Sequence, residues 1–175
     1  MQPVCGLYYL QDVLRAEAYM PDSSGLLARG FRPYRKITIT YARQMAKRFS
    51  VRLPNGDVLR GQPGDYACVS PDDGSKWIVA RKVFEQTYAP AKIAPDQRTG
   101  IHKRLSDSGF QPYRKHQITW AKKLKKPMRV HTLEGDVTAE AGDYLSIGPK
   151  GEPWPQPAAR FEAHYRPVAI PARTK

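Results

Sequence analysis

Apolar and polar positions alternate in short runs along most of this chain, and the runs come in two matching sets. Ile37, Ile39 and Tyr41 fall on one face of an alternating stretch, and His116, Ile118 and Trp120 hold the equivalent places further on. Each run predicts a strand. In the first set a second strand follows over 49–53, and Pro54-Asn55-Gly56-Asp57 supplies a hairpin turn, because Asn and Gly tolerate the positive φ of tight hairpins. A third strand over 58–62, a turn at Pro63-Gly64, a fourth strand over 65–69, a turn at Asp73-Gly74 and a fifth strand over 76–79 complete the set. A single helical turn then leads through Phe84-Glu85 to Tyr88-Ala89-Pro90. Ahead of all this, Leu7, Leu10, Val13, Leu14 and Ala18 have helical spacing, which predicts a helix over 7–20 ended by Pro21 and the polar run after it.

The recurrence extends to short words. Phe31, Pro33, Tyr34, Arg35 and Lys36 return as Phe110, Pro112, Tyr113, Arg114 and Lys115; Gly64-Asp65-Tyr66 returns as Gly142-Asp143-Tyr144, and Phe84-Glu85 as Phe161-Glu162. Two similar units with no third copy imply two domains built alike rather than a solenoid. The expected organisation is a helical leader at 1–29, a first unit at 30–90, a mobile linker at 91–108, a second unit at 109–168 and a basic tail at 169–175. The expected class is mainly β (α+β): two small five-stranded, curved-sheet or partly open barrel units plus an N-terminal helix. Units this small bury little surface alone, so contact between them, or with the leader, is expected.

Charge adds a direction. The net charge of +13 is confined to the repeats: residues 29–96 carry +7 and residues 97–175 carry +8, against −2 for residues 1–28. Such an excess draws in polyanions. Only Cys5 and Cys68 are present, and Ser146 stands where the first repeat has Cys68, so a shared disulfide framework is excluded. A reducing, cytoplasmic setting is expected, with no membrane span, since no apolar run approaches about 18 residues.

The string Tyr113-Arg114-Lys115, Thr132-Leu133-Glu134-Gly135, Ala141-Gly142-Asp143-Tyr144-Leu145, Gly148-Pro149-Lys150-Gly151-Glu152, Trp154-Pro155 and Phe161-Glu162-Ala163-His164-Tyr165-Arg166-Pro167-Val168 resembles a family of small bacterial and phage proteins, the PGDYG-type proteins. The first repeat resembles it through Pro63-Gly64-Asp65-Tyr66 and Phe84-Glu85-Gln86-Thr87-Tyr88. The resemblance implies a prokaryotic or phage-associated origin. It carries over no activity, cofactor or catalytic residue.

Several constellations invite a functional reading. Asp65, Tyr66, Trp77, Asp143, Tyr144 and Trp154 would line a polar pocket, but turn capping by Asp and core packing by Tyr and Trp explain the same residue types. Glu85 and Glu162 are lone carboxylates with no acid partner or nucleophile, and an ion pair to the recurring Arg-Lys pair is the simpler expectation. His116, His131 and His164 occur only in the second repeat, at a spacing that matches no compact zinc signature, so neither a metal nor a cofactor is expected. Cys68 sits in an apolar strand without a nearby His and reads as a structural thiol.

The basic stretches carry the strongest signal. Arg43, Lys47, Arg48 and Arg52 in the first repeat correspond to Lys122, Lys123, Lys125, Lys126 and Arg129 in the second, and Arg35-Lys36 and Arg114-Lys115 open the two units. The expected function is non-catalytic binding of nucleic-acid phosphates through these cations. One alternative is a phage accessory or inhibitor protein that binds an acidic or nucleic-acid-binding host protein. A second is an enzyme acting on a nucleotide or another phosphorylated small molecule.

Overall fold

The computed structural model describes residues 23–170. The expected leader helix over 7–20, Cys5 and the last five residues lie outside them. The first repeat runs α1 (Ser23–Ala28), β1 (Arg32–Lys36), β2 (Thr40–Gln44), β3 (Phe49–Arg52), β4 (Val58–Gly61), β5 (Tyr66–Val69), β6 (Lys76–Val79), α2 (Arg81–Thr87) and β7 (Tyr88–Pro90). The second runs α3 (Gly100–Asp107), β8 (Gln111–Lys115), β9 (Thr119–Lys123), β10 (Met128–Thr132), β11 (Gly135–Ala139), β12 (Tyr144–Ile147), β13 (Pro153–Gln156), α4 (Ala158–His164) and β14 (Tyr165–Pro167). The protein is mainly β, with antiparallel sheets that do not close into barrels.

The repeats exchange their first strands. One five-stranded sheet has the order β6-β5-β2-β8-β7 and the other β13-β12-β9-β1-β14, so β8 of the second repeat lies inside the first repeat's sheet and β1 inside the second's. In register, Tyr34 faces Thr119 and Pro167, while Tyr113 faces Thr40 and Pro90.

This exchange breaks the alternating run expected over 37–41. After β1 the chain leaves one sheet and enters the other at β2; Ile37, 43% exposed, lies in the crossing rather than on a buried strand face. The Ile37 amide closes the end of β1 on the His164 carbonyl (2.8 Å), and His116 does the same on Thr87 (2.9 Å).

Aromatic side chains explain why the short words recur. Phe84 stacks between Tyr66 and Tyr88, with centroids 3.8 and 4.5 Å away, and Phe161 stacks between Tyr144 and Tyr165 at 4.1 and 4.5 Å. Each exchanged strand drives one tyrosine edge-on into the other repeat's stack: Tyr34 lies 4.9 Å from Phe161 and Tyr113 lies 4.8 Å from Phe84. Such pairs add about 0.5–1.5 kcal/mol each beyond the area they bury.

The repeat also starts earlier than the words suggest. Both α1 and α3 end in the same cap: Gly30 (φ 88°) and Gly109 (φ 82°) adopt the left-handed conformation, and the Phe31 and Phe110 amides reach back to Leu26 and Leu105 (both 3.0 Å). The connection between repeats, expected to be mobile, thus contains α3 as well as a 3-10 turn at Pro95–Gln97, and Ile93 is buried. Hairpins β3–β4 and β10–β11 form separate two-stranded sheets that meet each other and pack on the larger sheets, with Leu59, Val137 and Ile78 of β6 in one apolar cluster and the Arg60 amide bonded to the Glu134 carbonyl at 2.7 Å. No helix among the described residues is long and apolar enough to cross a membrane.

Candidate functional site

The turn after β2 and the turn after β9 are built alike. The Met45 amide donates to the Asp65 carbonyl (2.9 Å) and the Gly64 amide to the Met45 carbonyl (2.7 Å); Leu124, Asp143 and Gly142 repeat the pattern at 2.7 and 2.8 Å. Gly64 (φ 94°) and Gly142 (φ 92°) are in the left-handed region that this close turn requires. Each Gly-Asp turn therefore clasps the backbone from which the next basic residues project. Lys47, Arg48, Lys125 and Lys126 are exposed there, and among the described residues no carboxylate lies within ion-pairing distance of any of them.

Apart from Lys36 and Lys115, the remaining candidate cations divide into three groups. Arg43, Arg52 and Arg114 are exposed, with Arg43 donating to the Ser108 carbonyl (3.2 Å) and Arg52 to the Gly56 carbonyl (3.4 Å). Arg129 pairs with Asp57 across the two hairpins (3.1 Å), and Lys123 pairs with Glu162 (3.4 Å). Lys122 is half-buried over the Phe31 ring (4.7 Å), and Arg35 is half-buried as well.

Lys36 and Lys115, expected as surface phosphate contacts, are inside the molecule. Lys36 shares strand parity with Tyr34, and Lys115 with Tyr113; when these tyrosines enter the aromatic stacks, the lysines follow them inward. They face a cavity of about 860 Å³ between the sheets and hairpins. Lys36 Nζ donates to Thr40 Oγ1 (2.6 Å) and lies 4.5 Å from the centre of the Trp77 ring; Lys115 Nζ lies 4.7 Å from that of Trp154. Arg160 covers Trp77 at 4.8 Å. Burial, aided by the charge of Lys115, pulls Lys36 down to about 7, and burial pulls Lys115 down to about 8 against the opposing pull of Glu152. Burial also pushes the cavity-lining Glu134 up to about 7.

The expected Gly-Asp-Tyr pocket is divided between structure and cavity. Trp77 and Trp154 line the cavity, and so does Asp143; Asp65, Tyr66 and Tyr144 do not. The carboxylates are occupied by backbone amides, Asp65 accepting from Gln62 (2.9 Å) and Arg81 (3.0 Å), and Asp143 from Glu140 (2.8 Å). Glu85 and Glu162 form ion pairs, but with Arg81 (2.9 Å) and Lys123 rather than with the recurring Arg-Lys pairs.

The three candidate histidines lie in different surroundings. His131 is exposed beside Asp136 (2.6 Å), and His116 is exposed at the end of β8. His164 is 5% exposed, its Nδ1 bonded to Thr38 Oγ1 (2.8 Å) and its Nε2 to Asp73 Oδ2 (2.9 Å). Burial raises the Asp73 carboxyl, but hydrogen bonds from His164 and Ser75 outweigh it and hold the group well below the usual carboxylate range. Cys68 is 1% exposed, and burial pushes its thiol far up, which suits a structural thiol. Glu134 stands in the word Thr132-Leu133-Glu134-Gly135 but has no acidic counterpart in the first repeat, and Arg160 belongs to no recurring word, so neither was legible as a site residue.

No known protein family matches the chain, and no curated protein or solved structure matches it.

Proposed function

We propose that the protein binds nucleic-acid phosphates through the two clasped basic turns, around Lys47-Arg48 and Lys125-Lys126, without reading base sequence. The observation that carries this reading is the pairing of exposed, acid-free cations with a backbone held in place by two hydrogen bonds in each repeat. Side chains on a preset turn lose less freedom on meeting a phosphate than those on a slack loop. The net charge of +13 supplies the long-range attraction.

The test is a titration of nuclease-treated protein against labelled single- and double-stranded DNA and RNA over a salt series. Four phosphate contacts predict roughly a 100-fold loss of affinity on duplex DNA between 50 and 200 mM salt, from a slope of about −0.9 per contact. Changing Lys47, Arg48, Lys125 and Lys126 to Ala flattens that slope by about 3–4. An unchanged slope in a folded variant refutes the proposal.

A further inference from the structure

We propose that the cavity between the two sheets is a binding site for one small organic monoanion with an apolar body, its charged group held among Lys36, Lys115 and Arg160. The site is separate from the basic turns. Lys36 and Lys115 occupy matched positions in the two repeats and converge on one space from opposite sheets. Among the described residues, neither ammonium has a carboxylate within ion-pairing distance; Lys36 has only the Thr40 hydroxyl and the faces of Trp77 and Tyr88, and Lys115 only the faces of Trp154 and Tyr165. A buried cation satisfied so thinly is destabilising, and an anion between two of them relieves that cost.

The surrounding charge sets the ligand's valence. The lining holds five cations, Lys36, Arg52, Lys76, Lys115 and Arg160, and four carboxylates, Glu134, Glu140, Asp143 and Glu152. Glu152 is partly committed to the Lys150 amide (2.8 Å), and Asp143 to the Glu140 amide (2.8 Å). One positive charge remains, which one carboxylate, sulfonate or phosphodiester balances. Leu59, Ile78 and Val137, from three different strands, supply apolar wall for the rest of the molecule. A volume of about 860 Å³ lies within the range of small-molecule sites.

The probe is 8-anilinonaphthalene-1-sulfonate, an aromatic monoanion, with neutral N-phenyl-1-naphthylamine as its uncharged counterpart. Titrated into the full chain at pH 7, the sulfonate should bind once per chain and quench tryptophan emission, since Trp77 and Trp154 line the cavity. The Lys36→Met/Lys115→Met variant should lose about tenfold or more in affinity for the sulfonate, as expected for charge-assisted bonds, and bind the neutral probe unchanged. The Lys125→Ala/Lys126→Ala variant should bind both probes like the parent, so failure here is distinguishable from failure of the nucleic-acid reading. Equal sulfonate affinity in a folded Lys36→Met/Lys115→Met variant overturns the proposal, as does binding at many sites. Should that variant fail to fold, the parent chain decides. Its sulfonate affinity must fall about tenfold or more between pH 6.5 and 9.5, as Lys36 and Lys115 give up protons and Glu134 becomes charged, with Arg52, Lys76, Arg160, Glu140, Asp143, Glu152, His164, Tyr88 and Tyr165 as the other groups facing the space and Asp73 acting on Lys36 from outside it. A flat profile overturns the proposal.

Discussion

Replacing Lys36 and Lys115 with methionine should remove an unusual alkaline gain in stability. Burial holds Lys36 at about 7 and Lys115 at about 8 in the folded protein, whereas both return to about 10.4 on unfolding. Below pH 7 both lysines are charged in either state, and the cost of burying them is fully present. Between the folded and unfolded values only the unfolded chain holds the proton, so each lysine adds about 1.4 kcal/mol of stability per pH unit. From pH 7 to 10 this amounts to about 6 kcal/mol for the two lysines together, with Lys36 contributing the larger part. Cys68 opposes them, because its thiol stays protonated when folded and ionises above about pH 8.5 when unfolded, removing about 2 kcal/mol by pH 10. The net expectation is a rise of about 4 kcal/mol, ending above pH 10 where exposure of Tyr88 and Tyr165 begins to favour unfolding. Urea unfolding followed by tryptophan emission, in reductant at pH 7, 8, 9 and 10, measures it. The methionine variant should be flat to pH 8.5 and decline beyond. A flat or falling curve for the parent, or a rise that the variant retains, would refute the placement of these lysines.

Asp65→Ala should cost about 1–2 kcal/mol and Asp143→Ala about 1 or less, because Asp65 holds two amides, one of them opening α2, and Asp143 holds one; thermal melts of the two variants rank them, and equal losses would contradict the assignment. Chains cut between residues 97 and 98 should be unfolded or self-associated when each piece is alone and should form a one-to-one complex when co-expressed, since each sheet needs a strand from the other piece. Sedimentation of the separate pieces decides this, and a folded monomeric half would contradict the exchange.

Most of the strands, the hairpin at Asn55-Gly56 and the twofold plan are legible in the sequence because they rest on local rules: alternation, turn chemistry and repetition. The partner of each strand is not local. Tyr34 fits its own repeat's stack and the other's equally well by composition, so nothing in the word Phe-Pro-Tyr-Arg-Lys says which sheet it will enter. The same packing decides Lys36 and Lys115, which share strand parity with Tyr34 and Tyr113 and turn into the cavity once those tyrosines enter the stacks, whichever repeat's sheet receives them. Asp65 and Asp143 were readable as turn caps because the preceding Gly announces the turn, whereas Arg160 reaches Trp77 only through tertiary packing.

The exchange of first strands has a consequence for how such a chain can change over generations. A single copy of this unit is missing the strand that fills its sheet, so it is complete only in a pair, and its folding would depend on concentration. Fusing two copies makes the missing strand part of the same molecule, present at a high effective concentration set by the short connection. Fusion also ends the requirement that both halves be identical. Cys68 opposite Ser146, and Thr87 opposite His164 with its grip on Thr38 and Asp73, are differences a symmetric pair of identical chains could not hold.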